Sequence, residues 1–480
     1  MAAEDCTGFA DHPAPGAIVR GENHAASSLC PARVIIDCPS RRLSNSMMTF
    51  RRQIEANLVA GPHFERGGQG VGTLPPPVRL IAFYLPQYHP IPENDIWWGK
   101  GFTEWTNVSK ALPRFVGHYQ PRLPSDLGFY DLRLPAVIAQ QAELARHYGI
   151  HGFCFHYYWF GGRKILQTPL ETLLAHPEID LPFCINWANE NWTRTWQGNN
   201  EDVLLHQRYL PGEEEAFVAD LEPALRDPRY IRINDRPLVM VYRPNLLPDS
   251  RATMNRWRDA IRARGLGDPF LLMAQGTGAD PAITDPRLHD LDGAAEFPPH
   301  RMGFSLIAND PPVPLFDRRF RGSIREYGRL VAAATAAEPA PFKRFPGVCP
   351  SWDNEARKPL RGFVFNGSTP AQYGAWLRRA CQQAANAFDG DERLVFVNAW
   401  NEWGEGAYLE PDRHFGHAYL AETARVLRDL SSAESLAAEA PMKPHEPRGG
   451  RYGGVGTRLR VKTHEVLLDL VERLNDPPQS

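Results

Sequence analysis

Several common signatures are missing from this sequence, and each absence removes a class of function. The 7 Cys residues are odd in number and scattered, with no CxxC pair and no zinc-like Cys/His spacing. That argues against a zinc module and against a disulfide framework. Cys154 and Cys184 stand inside apolar runs and read as buried free thiols in a reducing compartment. No apolar stretch approaches the ~18 residues that cross a bilayer, and the N-terminal residues lack the layout of a secretory leader. The expectation is a cytoplasmic chain with no transmembrane segment. No basic run interleaves with aromatics, and at a formal net charge of -3 no nucleic-acid partner is expected. A Ser-His-Asp order on a nucleophile elbow and a Rossmann fingerprint are both lacking. Gly67 to Gly72 is glycine-rich, but no strand precedes it and prolines follow, so it is no phosphate cradle. No carboxylate-histidine spacing demands a metal. Neither a metal nor a cofactor is expected.

What the chain does have is tryptophan, 12 residues of it, and one stretch that concentrates indoles with acids. Leu394 to Pro411 reads LVFVNAWNEWGEGAYLEP. Its first four residues suit a parallel strand buried on both faces. The chain then turns polar and aromatic, and Gly404 and Gly406 let the backbone bend where the strand ends. An indole beside a carboxylate offers an apolar plate and a hydrogen-bonding acid together, which matches the two unlike faces of a sugar ring.

The same grammar recurs upstream. Apolar runs at Leu80 to Leu85, Ile150 to Phe155, Leu181 to Ile185, Leu238 to Tyr242, Phe270 to Ala274, Leu291 to Ala295, Phe345 to Val348 and Leu394 to Val397 are candidate strands. Helical spacing over Ala136 to His147, Glu213 to Leu225, Met254 to Arg264, Ile324 to Ala337 and Gln372 to Ala387 separates most of them. The fifth-to-sixth connection carries no clear helix. Eight alternations predict an α/β fold, a (β/α)8 TIM-type barrel, over residues 78–430. Residues 1–77 read as a disordered or linker extension, and 431–480 as a polar tail with a short helix from Thr463 to Asn475.

In such a barrel the strands' carboxyl ends carry the chemistry. The residues standing there include Gln87, Tyr158, Trp159, Arg243, Gln275, Phe297 and His300, and those selected are Tyr88 and His89, His156 and Tyr157, Asn186, Trp187, Asn189 and Glu190, then Glu296, Trp352 and Asp353, and last Asn401, Glu402, Trp403 and Glu405. The long first connection, Pro86 to about Leu132, adds Trp98, Glu104 and Trp105, with indoles to stack on sugar faces and Glu104 to bond hydroxyls. Cleavage at an acetal centre requires one protonated and one ionised carboxyl group. Glu402 and Glu405 are the candidate catalytic pair, the other selected residues candidate substrate contacts. Which of the two has its pKa raised, and how far apart they lie, the sequence leaves open.

The passages NEWGEGAYLEP (Asn401 to Pro411), FYLPQYHPIPEND (Phe83 to Asp95), GFTEWTNV (Gly101 to Val108), NWANENWTRTW (Asn186 to Trp196) and SWDNEAR (Ser351 to Arg357) together resemble WbsX-type proteins. These are glycoside hydrolase family 99-like domains encoded with bacterial surface-polysaccharide (O-antigen, capsule, lipopolysaccharide) biosynthesis. The resemblance implies a barrel acting on an oligosaccharide or polysaccharide of α-linked, mannose-like sugars with retention, beside membrane-associated polysaccharide-assembly partners. It further implies that Glu402 takes the proton of the sugar 2-hydroxyl and Glu405 serves the leaving oxygen as acid and then base. The family's hydrolases carry His between the two acids, where this chain has Gly404. WbsX-type proteins are also described as glycosyltransferases, which is the alternative. A non-catalytic glycan-binding barrel is the third reading.

Overall fold

The computed structural model describes residues 49–72, 75–193, 202–210, 212–276, 280–303, 310 and 312–432. All eight apolar runs are strands: β1 (Arg79–Tyr84), β2 (Ile150–Phe160), β3 (Phe183–Trp187), β4 (Arg236–Val241), β5 (Phe270–Gln275), β6 (Gly293–Glu296), β7 in two pieces (Arg344–Phe345 and Gly347–Val348) and β8 (Leu394–Val397). They are parallel throughout, in the order β7 first piece, β6, β5, β4, β3, β2, β1, β8, β7 second piece. The two ends of that path are the same strand. Ala294 and Ala295 pair with Arg344 and Phe345 on one side, while Phe396 and Val397 pair with Gly347 and Val348 on the other. Pro346, between the pieces, has no N–H for a ladder, and its carbonyl accepts from the Phe396 N–H at 2.9 Å. The barrel is thus completed by a change of partner at one proline.

Leu80, Ile81, Ala82, Phe83 and Tyr84 are all fully buried, as a parallel strand between barrel core and outer helices must be. The outer layer is built from α1 (Pro135–His147), α2 (Glu213–Arg226), α3 (Ser250–Ala263), α4 (Tyr327–Thr335), α5 (Pro370–Ala387) and α6 (Ala418–Ser431). Their starts follow the sequence: the Asp249 carboxylate accepts from the Ala252 N–H at 2.9 Å, and Thr369 with Pro370 behind it opens α5. The helix expected from Ile324 begins at Tyr327, because Ser323–Glu326 pairs in parallel with Phe363–Asn366 instead. Among the described residues of the β5–β6 connection the helical turns are Pro281–Thr284 and Pro286–His289.

Part of the stretch expected to be a loose extension is tied down. Residues 49–57 are helical. The Asn57 amide donates to the carbonyls of His118 and Gln120 at 2.9 and 2.8 Å, the Gly68 N–H donates to the Tyr148 hydroxyl at 2.8 Å, and Arg428 donates to the Gln69 and Gly70 carbonyls. These ties run through backbone polar groups, which leave no hydrophobic period to detect. Residues 1–48 and the helical pattern at Thr463 to Asn475 lie outside the described residues. Cys154, Cys184, Cys349 and Cys381 are buried and free. Among the described residues no helix is long and apolar enough to cross a membrane.

Candidate active site

Side chains alternate across a strand, so β2 sends His156 and Tyr158 to one side and Tyr157 and Trp159 to the other. His156 and Tyr158 line a cavity of about 270 Å³ at the carboxyl ends of the strands, together with Tyr242, Phe297, His300, Arg357, Glu402 and Glu405. Tyr157 and Trp159 pack outward against Phe217 of α2.

Arg357 is the centre of charge. Its guanidinium gives Nε to Glu104 Oε1 at 2.9 Å, Nη2 to Glu402 Oε2 at 2.7 Å and Nη1 to Glu405 Oε1 at 2.8 Å. A planar fork with five donors can hold three carboxylates in one arrangement, which a lysine cannot. The turn that presents it, Asn354–Ala356, is capped by Asp353, whose Oδ1 accepts from the Glu355 N–H at 3.1 Å. Asp353 Oδ2 meets His118 Nε2 and Gln120 Nε2, each at 2.8 Å. Burial works against its ionisation, yet His118 and Arg122 hold the Asp353 carboxyl below the usual range. Asp353 therefore anchors the Arg357 turn to the first connection.

The two candidate acids differ. Glu402 is the more enclosed, its side chain 8% exposed against 21% for Glu405. Burial, with the neighbouring charges of Glu405 and Glu104 and against the pull of Arg357, pushes the Glu402 carboxyl up to about 8. It keeps its proton at neutral pH. His156 goes the other way: burial and then Arg357 lower it to about 4, so it is neutral. Its Nδ1 lies 3.3 Å from Asn186 Nδ2, and its Nε2 lies 3.8 Å from Glu402 Oε1.

A rigid underlayer sets the loop from Asn401 to Glu405. The Asn401 side chain pairs with the Leu85 backbone in both directions, at 2.8 and 3.0 Å. Tyr88 donates its hydroxyl to the Asn401 carbonyl and accepts from the Trp403 N–H at 3.2 Å. Trp105 packs against Tyr88 and Trp403 and donates to the Tyr130 carbonyl at 2.8 Å. The Trp403 indole N–H donates to Glu410 Oε2 at 2.6 Å, and Glu410 also accepts from Tyr130 and Gln141 at 2.9 and 2.7 Å. Burial pushes that carboxyl up to about 7.

The sequence candidates therefore fall into groups. Glu402, Glu405, His156 and Glu190 line the cavity, Glu190 at its rim 3.0 Å from Arg243. Glu104 is fully buried behind Arg357, with no face toward a substrate hydroxyl. Asn186 backs His156, and Asn189 ties the end of β3 to Arg243 through its backbone, at 2.8 and 2.9 Å. Tyr88, Trp105, Asn401 and Trp403 form the underlayer. Trp187 points outward against Phe217 and Trp257. Glu296 pairs with Arg344 and Arg301 at 3.2 and 3.3 Å, Trp352 packs edge-on to His300, Trp98 packs beside Phe102, and His89 is buried in the first connection. Tyr158, Phe297 and His300 stand at the strand ends in the sequence but were not selected as substrate contacts, and Arg357 and Tyr242 were not singled out at all. Strand alternation would have exchanged Tyr157 for Tyr158, and three acids crowded at one barrel mouth call for a cation, which SWDNEAR supplies.

The family model described as Glycosyltransferase WbsX matches residues 80–423. Two curated relatives, each described as uncharacterized protein WxcX, come from two strains of Xanthomonas campestris pv. campestris. Each is 45% identical over 355 residues, covering 73% of this chain and 50% of theirs. The chain thus spans about half the length of the curated relatives it matches. Among solved structures, an endo-α-mannosidase of glycoside hydrolase family 99 from Bacteroides thetaiotaomicron aligns with a TM-score of 0.48 at 15% identity, covering 74% of this chain and 98% of that one. A glycoside hydrolase-like protein aligns at 0.47 and 15%, covering 78% and 99%.

Proposed function

The chain belongs to the glycosyltransferase WbsX family, and from that premise we propose that it cleaves or transglycosylates α-linked, mannose-like glycans of a surface polysaccharide, using Glu402 and Glu405 with retention. One observation carries the reading. A single guanidinium holds both carboxyl groups at the mouth of the cavity, 2.7 and 2.8 Å from its nitrogens, and burial raises the Glu402 carboxyl. Two carboxyl groups presented side by side, sharing one proton between them, are what acetal chemistry requires.

Glu402 is assigned as the base that accepts the 2-hydroxyl proton, so that this oxygen attacks the anomeric carbon as the glycosidic bond breaks. A carboxylate whose acid ionises near 8 is a stronger base than an ordinary one, which suits a proton as tightly held as a hydroxyl's. The reacting form is the one in which Glu402 is ionised and the pair's single proton sits on Glu405, the more open group, which delivers it to the departing oxygen. Glu405 then takes a proton from the incoming water or acceptor hydroxyl, while Glu402 returns its proton to the sugar oxygen. Charge is conserved over the cycle. Tyr158, Tyr242 and Phe297 supply aromatic surface for the ring faces. The site of action is cytoplasmic, alongside membrane-associated polysaccharide-assembly partners.

The family's description favours a second reading, sugar transfer from an activated donor. The two are separated by incubating the protein with α-linked oligosaccharides and with the producing cell's polysaccharide, then analysing products by mass spectrometry beside the Glu402→Gln/Glu405→Gln double variant. Fragments or transfer products that form without a nucleotide sugar and vanish in the variant support the proposal. Products that require an added nucleotide-sugar or polyprenyl-linked donor replace it with the transferase. Glycan binding without turnover, unaffected by the double substitution, leaves a binding barrel.

A further inference from the structure

Glu104 is a third carboxylate in the cluster, and the reading above gives it no role. It comes from a different part of the chain, the short helix Glu104–Ser109 in the first connection, and it is fully buried. The helix is anchored at its start, where the Glu104 N–H donates to the Gln87 carbonyl at 3.0 Å and Thr103 and Thr106 form a capping box. Its Oε1 takes the one Arg357 nitrogen that neither Glu402 nor Glu405 uses.

The space for this carboxylate exists because residue 404 has no side chain. A Cβ at Gly404 would stand 1.8 Å from Glu104 Oε1 and 2.9 Å from Arg357 Nε. No heavy-atom contact survives at 1.8 Å. Gly404 has no positive φ, so backbone conformation does not explain the glycine; occupancy by Glu104 does. The residue between the two candidate acids and the buried acid of the first connection are therefore complementary.

We propose that Glu104 is a positioning residue for the reacting pair: seated in the room left at Gly404, it locks the Arg357 fork in the orientation that presents Glu402 and Glu405 to one sugar. Glu104 touches no cavity surface and acts only through Arg357. The inference rests on the reading of Glu402 and Glu405 as the reacting pair, but its geometry can be tested without turnover. Around Glu402 the charged or titratable groups are Arg357 from the loop after β7, Glu104 from the first connection and Glu405 on its own loop. His156 faces it from β2 and is neutral, and the phenols of Tyr88, Tyr158 and Tyr242 complete the surroundings. Removing the Glu104 charge takes away one repulsion and returns more of the Arg357 charge to Glu402. Both changes favour the ionised form of Glu402.

The test uses the full chain in two arms. In the first, infrared titration follows the protonated carboxyl band that disappears in Glu402→Gln. Glu104→Gln keeps the volume and should move the midpoint of that band to lower pH; an unmoved midpoint overturns the proposal. The second arm is a double-mutant cycle on thermal unfolding. Gly404→Ala should lower Tm strongly in the wild-type background and much less in Glu104→Ala, where the colliding oxygen is gone. Equal losses in both backgrounds overturn it. Where a substrate is established, Glu104→Gln should lower kcat with little change in KM and shift the pH profile with the infrared midpoint. Should the glycan assay fail while both arms succeed, the function is wrong and the positioning stands.

Discussion

Glu402 Oε1 and His156 Nε2 lie 3.8 Å apart, close enough for an ion pair, yet burial favours the uncharged form of both at neutral pH. Burial has moved the two in opposite directions, the acid up and the imidazole down. The cavity thus meets its substrate with the Arg357 guanidinium and an uncharged acid-imidazole contact. Several measurable consequences follow from that charge state.

The first concerns activity against pH. With Glu402 as base and Glu405 as acid the pair must hold one proton between them, so kcat/KM should fall as pH rises through about 8, where that proton is lost. A kcat/KM profile that stays level through pH 8 would contradict the shared proton. Glu405→Gln should cost at least about 10²-fold in turnover at every pH.

The second concerns stability against pH. Glu402 and Glu410 are raised from 4.5 to about 8 and about 7, so the folded state binds protons that the unfolded state has released. Each stabilises less as pH rises from the unfolded value through the folded one. His156 is lowered from 6.5 to about 4, so it opposes this trend only at acid pH, where the unfolded state gains its proton. Above pH 6.5 the His156 opposition is gone, and Tm should fall toward pH 8. Glu402→Gln should flatten the upper part of that fall, and unchanged slopes would contradict the assigned protonation.

The third is a charge-hub test. Arg357→Ala leaves three carboxyl groups crowded without their cation and should cost about 3–5 kcal/mol in chemical denaturation. Arg357→Lys should recover part of that stability but little turnover, because a point charge cannot hold Glu402 and Glu405 in one plane. Full activity in the lysine variant would show that the fork geometry is dispensable.

The fourth addresses the underlayer. Glu410→Leu strands the Trp403 indole N–H, the Tyr130 hydroxyl and the Gln141 amide, each worth about 1–3 kcal/mol when left unpaired. Glu410→Gln keeps one acceptor oxygen for the Trp403 and Tyr130 donors, losing only the Gln141 contact, and should lose less. Similar denaturation midpoints for the two variants would mean that Glu410 does not organise the loop.

The strand count was readable because parallel barrel strands bury both faces and appear as unbroken apolar runs, as at Leu80 to Tyr84 and Leu394 to Val397. The crowding of Glu402 and Glu405 at a strand end was readable for the same reason, since the change from apolar to acidic marks where β8 emerges. Orientation was harder. Tyr157 and Trp187 stand at strand ends and are rich in chemistry, yet one residue of register turns them to the outer layer, while Tyr158 reaches the cavity.

By itself the sequence determined the alternation of eight strands with helices, the end of the barrel where chemistry gathers and the two acids of the last motif, because periodicity and local composition are properties of neighbouring residues. Only the tertiary structure decided that Pro346 switches β7 between its two partners, that Arg357 joins Glu104, Glu402 and Glu405, and that Glu402 is the acid left protonated. Those outcomes depend on desolvation and on charges up to 253 residues apart in the chain, as Glu104 and Arg357 are. No window of sequence holds both ends of such an interaction.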